Sequence, residues 1–223
     1  MLGGIHISSS LPTGCGSGQS QGVGITPKQF AELTNRVRGV KRPAADTVKA
    51  PPSGPAAHSI LLGVDPSLRG TGYGVIQMAK PHPIALAYGT IHCPAGWARS
   101  RCLLLISQTL REVIRKHSPD VCAVEGLFFA QNLQTALIMG EARGAALAVV
   151  AEAGLEIYEH APRRVKQAVV GYGAAQKMAV AKMVQRMLRL SELPAADAAD
   201  ALAVALTHAQ ESTRFSLSPA KKV

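Results

Sequence analysis

The sequence predicts an α/β domain built on a mixed sheet with helices on both faces, and three observations carry that expectation. The apolar runs Ile60–Val64 and Val121–Val124 are too short for helices. They are also too continuous for strands with one wet face, so they belong in a sheet covered on both sides. Longer stretches of helical periodicity separate and follow them. Finally, three strand-like segments come first without a helix between them, and later ones alternate with helices, giving the order β-β-β-α-β-α-β followed by helices.

Each element has its own signal. Ile60–Val64 is the first strand. Gly70-Thr71-Gly72-Tyr73-Gly74 reads as a turn into a second strand, Tyr73–Met78, and Pro81-His82-Pro83 turns the chain into a third, Ile84–His92. Three strands in succession imply an antiparallel meander. A helix is expected near Gly96–His117 with Leu103, Leu104, Ile106, Leu110, Val113 and Ile114 inward, stopped by Ser118-Pro119-Asp120. Val121–Glu125 is the fourth strand. Leu133–Ala153 is a helix whose small residues, Gly140, Gly144, Ala145 and Ala146, allow close approach by another helix, including one from a second subunit. Leu155–His160 is the fifth strand, Pro162–Val170 a helix, Gly171-Tyr172-Gly173 a break, and Ala174–Leu190 a helix. The last helix, Ala195–Gln210, follows Pro194.

The ends differ in character. Residues 1–58 form a low-complexity extension, since Gly, Ser and Pro dominate Gly3–Gly24 and Ala50–Ser59 and leave too little to bury. Within it, Thr26-Pro27-Lys28-Gln29-Phe30 opens a short capped helix, and Arg36, Arg38, Lys41 and Arg42 read as a solvated linker or a nonspecific DNA contact. Residues 59–210 are the folded domain and 211–223 a polar tail.

Net charge is +10. Residues 1–58 carry 6 basic and 2 acidic residues, 59–209 carry 15 and 11, and the remainder 3 and 1. The domain itself is therefore basic, which favours a polyanionic partner. Cys15, Cys93, Cys102 and Cys122 lack metal-ligand spacing and read as free thiols in a reducing compartment. No stretch has the uninterrupted apolar length of a membrane span, and the amino terminus lacks a secretory pattern. A soluble, cytoplasmic protein is expected.

Against this background four acids stand out. Asp65 closes the first strand, Glu125 closes the fourth, and Asp197 and Asp200 open the last helix. The chain has five aspartates, and three are in this set. Carboxylates at the ends of core elements pay for desolvation unless a positive charge meets them. No Lys or Arg adjoins Glu125, Asp197 or Asp200 in sequence. Asp197 and Asp200 are three apart on a helix and share a face, and the helix amino end favours their charge. Four such carboxylates can hold two Mg²⁺ ions about 3.5–4 Å apart, an arrangement suited to phosphodiester hydrolysis. Each acid taken singly also reads as a cap or a surface group. His208 shares the face of Asp197 but lies about 16 Å farther along the helix, too far to join a metal, and reads as a partly buried helix histidine.

The segment Leu62-Gly63-Val64-Asp65-Pro66-Ser67-Leu68-Arg69-Gly70-Thr71-Gly72-Tyr73-Gly74 resembles the first motif of the RuvC family, bacterial Holliday junction resolvases of RNase H-like fold. Val124-Glu125-Gly126-Leu127-Phe128-Phe129 resembles the second, Val165-Lys166-Gln167-Ala168-Val169-Val170-Gly171 the third, and Ala196-Asp197-Ala198-Ala199-Asp200 the fourth. The likeness covers about residues 59–209. It implies an RNase H-like domain with a mixed five-stranded sheet. It further implies a homodimer that nicks four-way junctions symmetrically and works with the branch-migration proteins RuvA and RuvB. Asp65, Glu125, Asp197 and Asp200 fall on the family's catalytic, metal-holding acids, with Mg²⁺ as cofactor and Mn²⁺ as a substitute. Lys166 and Lys177 fall on basic positions near the scissile phosphate, and Phe128 on an aromatic that contacts unstacked bases. Two positions depart from the motif: Ser67 replaces a usual glycine and would strain its turn, and Gly70 would offset this by loosening the same turn.

Three other readings compete. An actin-like kinase would share Asp65 and the glycine hairpin but needs a second phosphate motif and about twice the length. A non-catalytic DNA binder has no use for four acids that repel phosphate. A pre-rRNA-processing nuclease of the same fold lies nearest, and Phe128 with the Asp197–Asp200 helix favours the resolvase.

Overall fold

The structure is a computed structural model that describes residues 26–28, 31, 58–126, 132–212 and 220–223. The chain divides into two units, 1–53 and 54–223. In the first, Pro27, Lys28 and Ala31 are helical, where the short capped helix was expected.

The second unit holds one sheet in the order β3-β2-β1-β4-β5-β6. The strands are β1 (Ile60–Asp65), β2 (Gly70–Gln77), β3 (Ile84–His92), β4 (Val121–Glu125), β5 (Glu156–His160) and β6 (Lys221–Lys222). β1 to β3 form the expected antiparallel meander, and β4 and β5 join β1 in parallel. The sheet has six strands rather than five. β6 lies in the supposed polar tail and pairs antiparallel with β5, tied down by Val223 N–H donating to Ile157 O and by the Lys222–Glu156 ion pair. Two lysines carry no strand pattern that a sequence reading could use.

The helices are α1 (Arg99–His117), α2 (Leu133–Glu152), α3 (Pro162–Val170), α4 (Lys177–Leu188) and α5 (Ala196–Ser212). Their ends follow local chemistry. Asn132 caps α2 by accepting a hydrogen bond from Thr135 N at 2.8 Å, Pro162 opens α3, and Gly171 closes it in a left-handed conformation. α1 buries Cys102, Ile106, Leu110 and Val113, but Leu104, expected inward, is 55% exposed. It stands on the outer side of the apolar stripe.

Alternation along the strands sorts the core into two layers. Leu62, Val64, Val75, Cys122, Val124 and Ile157 face α1 and α2. Leu61, Ile76, Val121 and Ala123 face α5, which α3 and α4 cover in turn. By the same alternation Asp65 and Glu125 end their strands on the α5 face. α5 is buried from Ala198 to Ala209, as its alanine-rich sequence permits, because small side chains on every face let it lie between two layers.

The glycine run Gly70–Gly74, expected as a turn, is strand. Its glycines answer to α5 instead: a Cβ on Gly72 would stand 1.9 Å from Asp197 O, and one on Gly63 would stand 2.0 Å from Ala201 O. The helix thus rests on bare strand backbone. A local turn signal lost to a tertiary requirement.

Among the described residues α2 is long and apolar enough to cross a membrane by length and composition. In this fold it packs on α1, and Glu141, Arg143 and Glu152 pair with Arg99, Glu159 and Arg111.

Candidate active site

Parallel pairing of β1 and β4 brings Asp65 and Glu125 side by side at the carboxyl edge of the sheet, where their side chains share a hydrogen bond. α5 crosses above them. Its first turns supply Asp200, whose charge is felt by both acids, and Asp197, whose charge is felt by Asp65. Asp197 settles over β2, and a Cβ on Gly70 would meet its Oδ2 at 2.7 Å. All four acids predicted from sequence are therefore gathered at one place.

The electrostatics are those of surplus negative charge in a half-buried site. Burial, and then the neighbouring Asp65 carboxylate, pushes Glu125 up to about 8. Burial likewise raises Asp65, with Asp200 adding to the effect. Asp200 is raised by burial although Lys177 opposes the shift. The hydrogen bond between Asp65 and Glu125 favours the proton on Glu125 rather than on Asp65.

Lys177, the first residue of α4, places its ammonium 3.3 Å from Asp200 Oδ2, and the nearby acids raise its pKa, Asp200 most. Lys166 on α3 also acts on Asp200 through its charge. Lys177 thus reaches the acid cluster, and Lys166 acts on it through charge alone. Phe128 lies outside the described residues.

Ser67 does not strain its turn. Its backbone is not left-handed, and its N–H donates to Thr71 Oγ1 at 3.2 Å while the Thr71 hydroxyl donates back to Ser67 O. Gly70 is likewise not left-handed, so it makes room for Asp197 rather than loosening the turn.

His208 stays away from the acids, as its helical position implies, but it is fully rather than partly buried. Its Nδ1 lies 3.2 Å from His160 Nε2 at the other end of α5, beside Glu211 and the Tyr158 ring. Sequence reading missed His160, whose signal would have been a polar residue at a core-facing strand position. It also missed Arg143, a cation in a small-residue helix. Arg69 went unremarked too: it donates to Pro94 O, Trp97 O and Cys102 Sγ and so ties the β1–β2 connection to the start of α1.

Among the described residues no three Asp, Glu, His or Cys side chains already converge at coordinating distance. Asp65 and Glu125 are engaged with each other and Asp200 with the Lys177 ammonium, contacts that a cation would replace. An all-carboxylate donor set suits a hard divalent ion.

A mixed sheet carrying acids at the ends of two central parallel strands, with more on a helix laid across them, defines an α/β nuclease fold of the RNase H-like class. The chain belongs to the RuvC family: the model for crossover junction endodeoxyribonuclease RuvC matches residues 61–208. A RuvC of Akkermansia muciniphila is 49% identical over 148 residues, covering 66% of this chain and 89% of that protein. One from Chromohalobacter salexigens is 43% identical over 169 residues, 76% of this chain and 90% of that one. Among solved structures, Thermus thermophilus RuvC in complex with a Holliday junction substrate matches with TM-score 0.66 and 32% identity, covering 74% of this chain and 100% of that chain. The protein is accordingly a structure-specific endodeoxyribonuclease of the crossover-junction type, and the family is metal-dependent.

Proposed function

We propose that this protein resolves Holliday junctions by paired, symmetric, Mg²⁺-dependent nicks, with Asp65, Glu125, Asp197 and Asp200 as the metal-holding catalytic acids. The observation that carries the reading is the hydrogen-bonded Asp65–Glu125 pair beneath Asp197 and Asp200. Divalent cations there, two per site with Mn²⁺ able to replace Mg²⁺, would supply a Lewis acid and a water of lowered pKa. The four carboxylates bind and space the cations. Lys177, exposed beside Asp200, meets the charge of the incoming phosphate, and Lys166 adds to that field.

The substrate is four-way junction DNA, which the Thermus thermophilus relative holds in its complex. Phe128 stacks on bases opened at the junction centre, an interaction worth about 1–3 kcal/mol per base. A homodimer would form on the face of α2 where Leu133 and Leu137 are 77% and 58% exposed and a Cβ on Gly140 or Gly144 would meet nothing. Two sites related by a two-fold axis suit two opposed strands. RuvA and RuvB are the branch-migration partners the family implies, and the bacterial relatives fit work in the cytoplasm. Residues 1–58 precede the nuclease domain in sequence, and β6 makes the carboxyl end part of its sheet.

The test uses a synthetic four-way junction and the matching duplex, each with and without Mg²⁺. The reading requires paired nicks in the junction only, and only with the metal. Equal cutting of duplex would reject it, as would cutting without metal.

A further inference from the structure

Among the described residues Arg143 is the one buried arginine or lysine, 8% exposed on the sheet side of α2. Its two terminal guanidinium nitrogens go to different partners. Nη1 donates to the main-chain oxygen of Glu125 at 2.6 Å, and Nη2 donates to Glu159 Oε2 at 2.5 Å. The first contact falls where the sheet gives out. Pairing of β1 with β4 ends at Val64 and Val124, so Glu125 stands one residue beyond that ladder. On the other side Glu125 is the last residue in register with β5, opposite His160, and Gly126 N–H donates to His160 O. Glu159 is confined in turn, since a Cβ on Gly126 would come within 3.3 Å of its Cγ and Oε1. A buried guanidinium is costly unless both its charge and its donors are met, and a planar fork can hold two acceptors at fixed separation where an ammonium cannot.

We propose that Arg143 is a positioning residue for the nuclease reaction, fixing the main chain of Glu125 past the end of the β1–β4 ladder, with Glu159 holding the second edge of the guanidinium. The Glu125 carboxylate then stays aimed at Asp65 under α5. This rests on the reading of Glu125 as a site acid. It also joins α2, the helix with the exposed small-residue face, to the reaction centre through a single side chain. Groups that orient a metal-holding carboxylate cost about 10–100-fold in metal affinity or activity when removed.

The experiment uses the full chain and four variants: Arg143→Met, Arg143→Lys, Glu159→Gln and, as a control, Glu125→Gln. For each, single-turnover cleavage of a four-way junction, the Mg²⁺ concentration at half-maximal rate, junction affinity without Mg²⁺, and the melting temperature are measured. Arg143→Met should cleave about 10–100-fold more slowly and need more Mg²⁺. Its junction affinity should stay within about twofold, because phosphate contacts dominate binding. Arg143→Lys should recover part of the rate, and Glu159→Gln should fall between it and wild type. A lowered melting temperature with an unmoved rate and Mg²⁺ midpoint in the Arg143 variants would overturn the proposal, leaving Arg143 a packing residue. If Arg143→Met does not fold, the Mg²⁺ midpoints of Arg143→Lys and Glu159→Gln decide: raised midpoints support positioning, and wild-type midpoints reject it. Glu125→Gln separates the two readings. If it cuts normally, the acid assignment fails; if it is dead while the Arg143 and Glu159 variants are normal, only the positioning role fails.

Discussion

At its amino end α5 lays Asp197 and Asp200 over Asp65 and Glu125; at its carboxyl end it sets His208 against His160 and Glu211. The acids are half-buried and the histidines buried, and both clusters hang on one helix and one sheet face. The acid end is overcharged: burial raises Asp65, Glu125 and Asp200, so uptake of a proton or a cation is favoured. The histidine end stays neutral. Burial pushes His160 and His208 down to about 4, and Arg164 rather than any histidine meets the Glu211 charge, at 2.5 Å. Buried polarity as such therefore does not mark a working site. Surplus like charge that the one nearby ammonium, Lys177, only partly offsets is the stronger sign.

The sharpest way to break this contrast is to remove charge at each end. Asp65→Asn, Glu125→Gln or Asp200→Asn should lower junction cutting by on the order of 10²–10³ or more, the scale of losing one preorganised electrostatic group. Junction binding should persist, because it comes chiefly from Lys and Arg contacts to phosphate. Near wild-type cleavage by one of these variants removes that residue from the site.

The two ends should also respond to pH with opposite signs. Glu125 rises from an ordinary 4.5 to about 8, so its contribution to metal-free stability is full below about pH 4.5 and is lost as pH rises through about 8. His160 and His208 fall from 6.5 to about 4, so their contribution holds above pH 6.5 and is lost as pH falls toward 4. Urea midpoints across pH without metal should show both limbs, each on the order of a few kcal/mol. Glu125→Gln should erase the alkaline limb alone, and Mg²⁺ should flatten it. An alkaline limb that survives in Glu125→Gln would mean the surplus charge lies elsewhere.

His208→Ala should cost about 2–3 kcal/mol, from a cavity and an orphaned His160 nitrogen. Its cleavage rate at a permissive temperature should stay normal, and a rate loss matching the acid variants would end the division between the two clusters. Gly72→Ala should cost about 1–3 kcal/mol by overpacking against Asp197 O, and here the rate should fall as well because the helix carrying two acids must move. The smallest effect belongs to deletion of residues 1–57, within about 0.5 kcal/mol and with cleavage retained. Deleting His58 too would test its ring, 5.6 Å from that of His208.

The acids were legible in sequence because each ends an apolar run or opens an apolar helix, where chemistry and periodicity point the same way. α3 was read to the residue because Pro162 and Gly171 punctuate it. The misreadings share one cause. The glycines of β2 carry the local signature of a turn, and only the helix above them explains why they are strand. β6 is two lysines long and exists through pairing with β5. Leu104 sits on the margin of a stripe whose width sequence does not specify. Arg143 and His160 gain meaning from partners 18 and 48 residues away, Glu125 and His208.

The bare lane formed by Gly63 and Gly72 has a further consequence. Because α5 touches strand backbone with no side chain between, the two acids on the helix and the two on the strands keep their spacing as parts of a gauge with no adjusting screw. A side chain can swing to admit a misfitting guest, but a peptide plane cannot. The burden of accommodation then passes to the nucleic acid. A stacked duplex pays to bend its backbone toward such a slot, whereas a branch point, whose strands already leave their helices, yields more cheaply. Two missing methyl groups can thus bear on which DNA is cut without touching it.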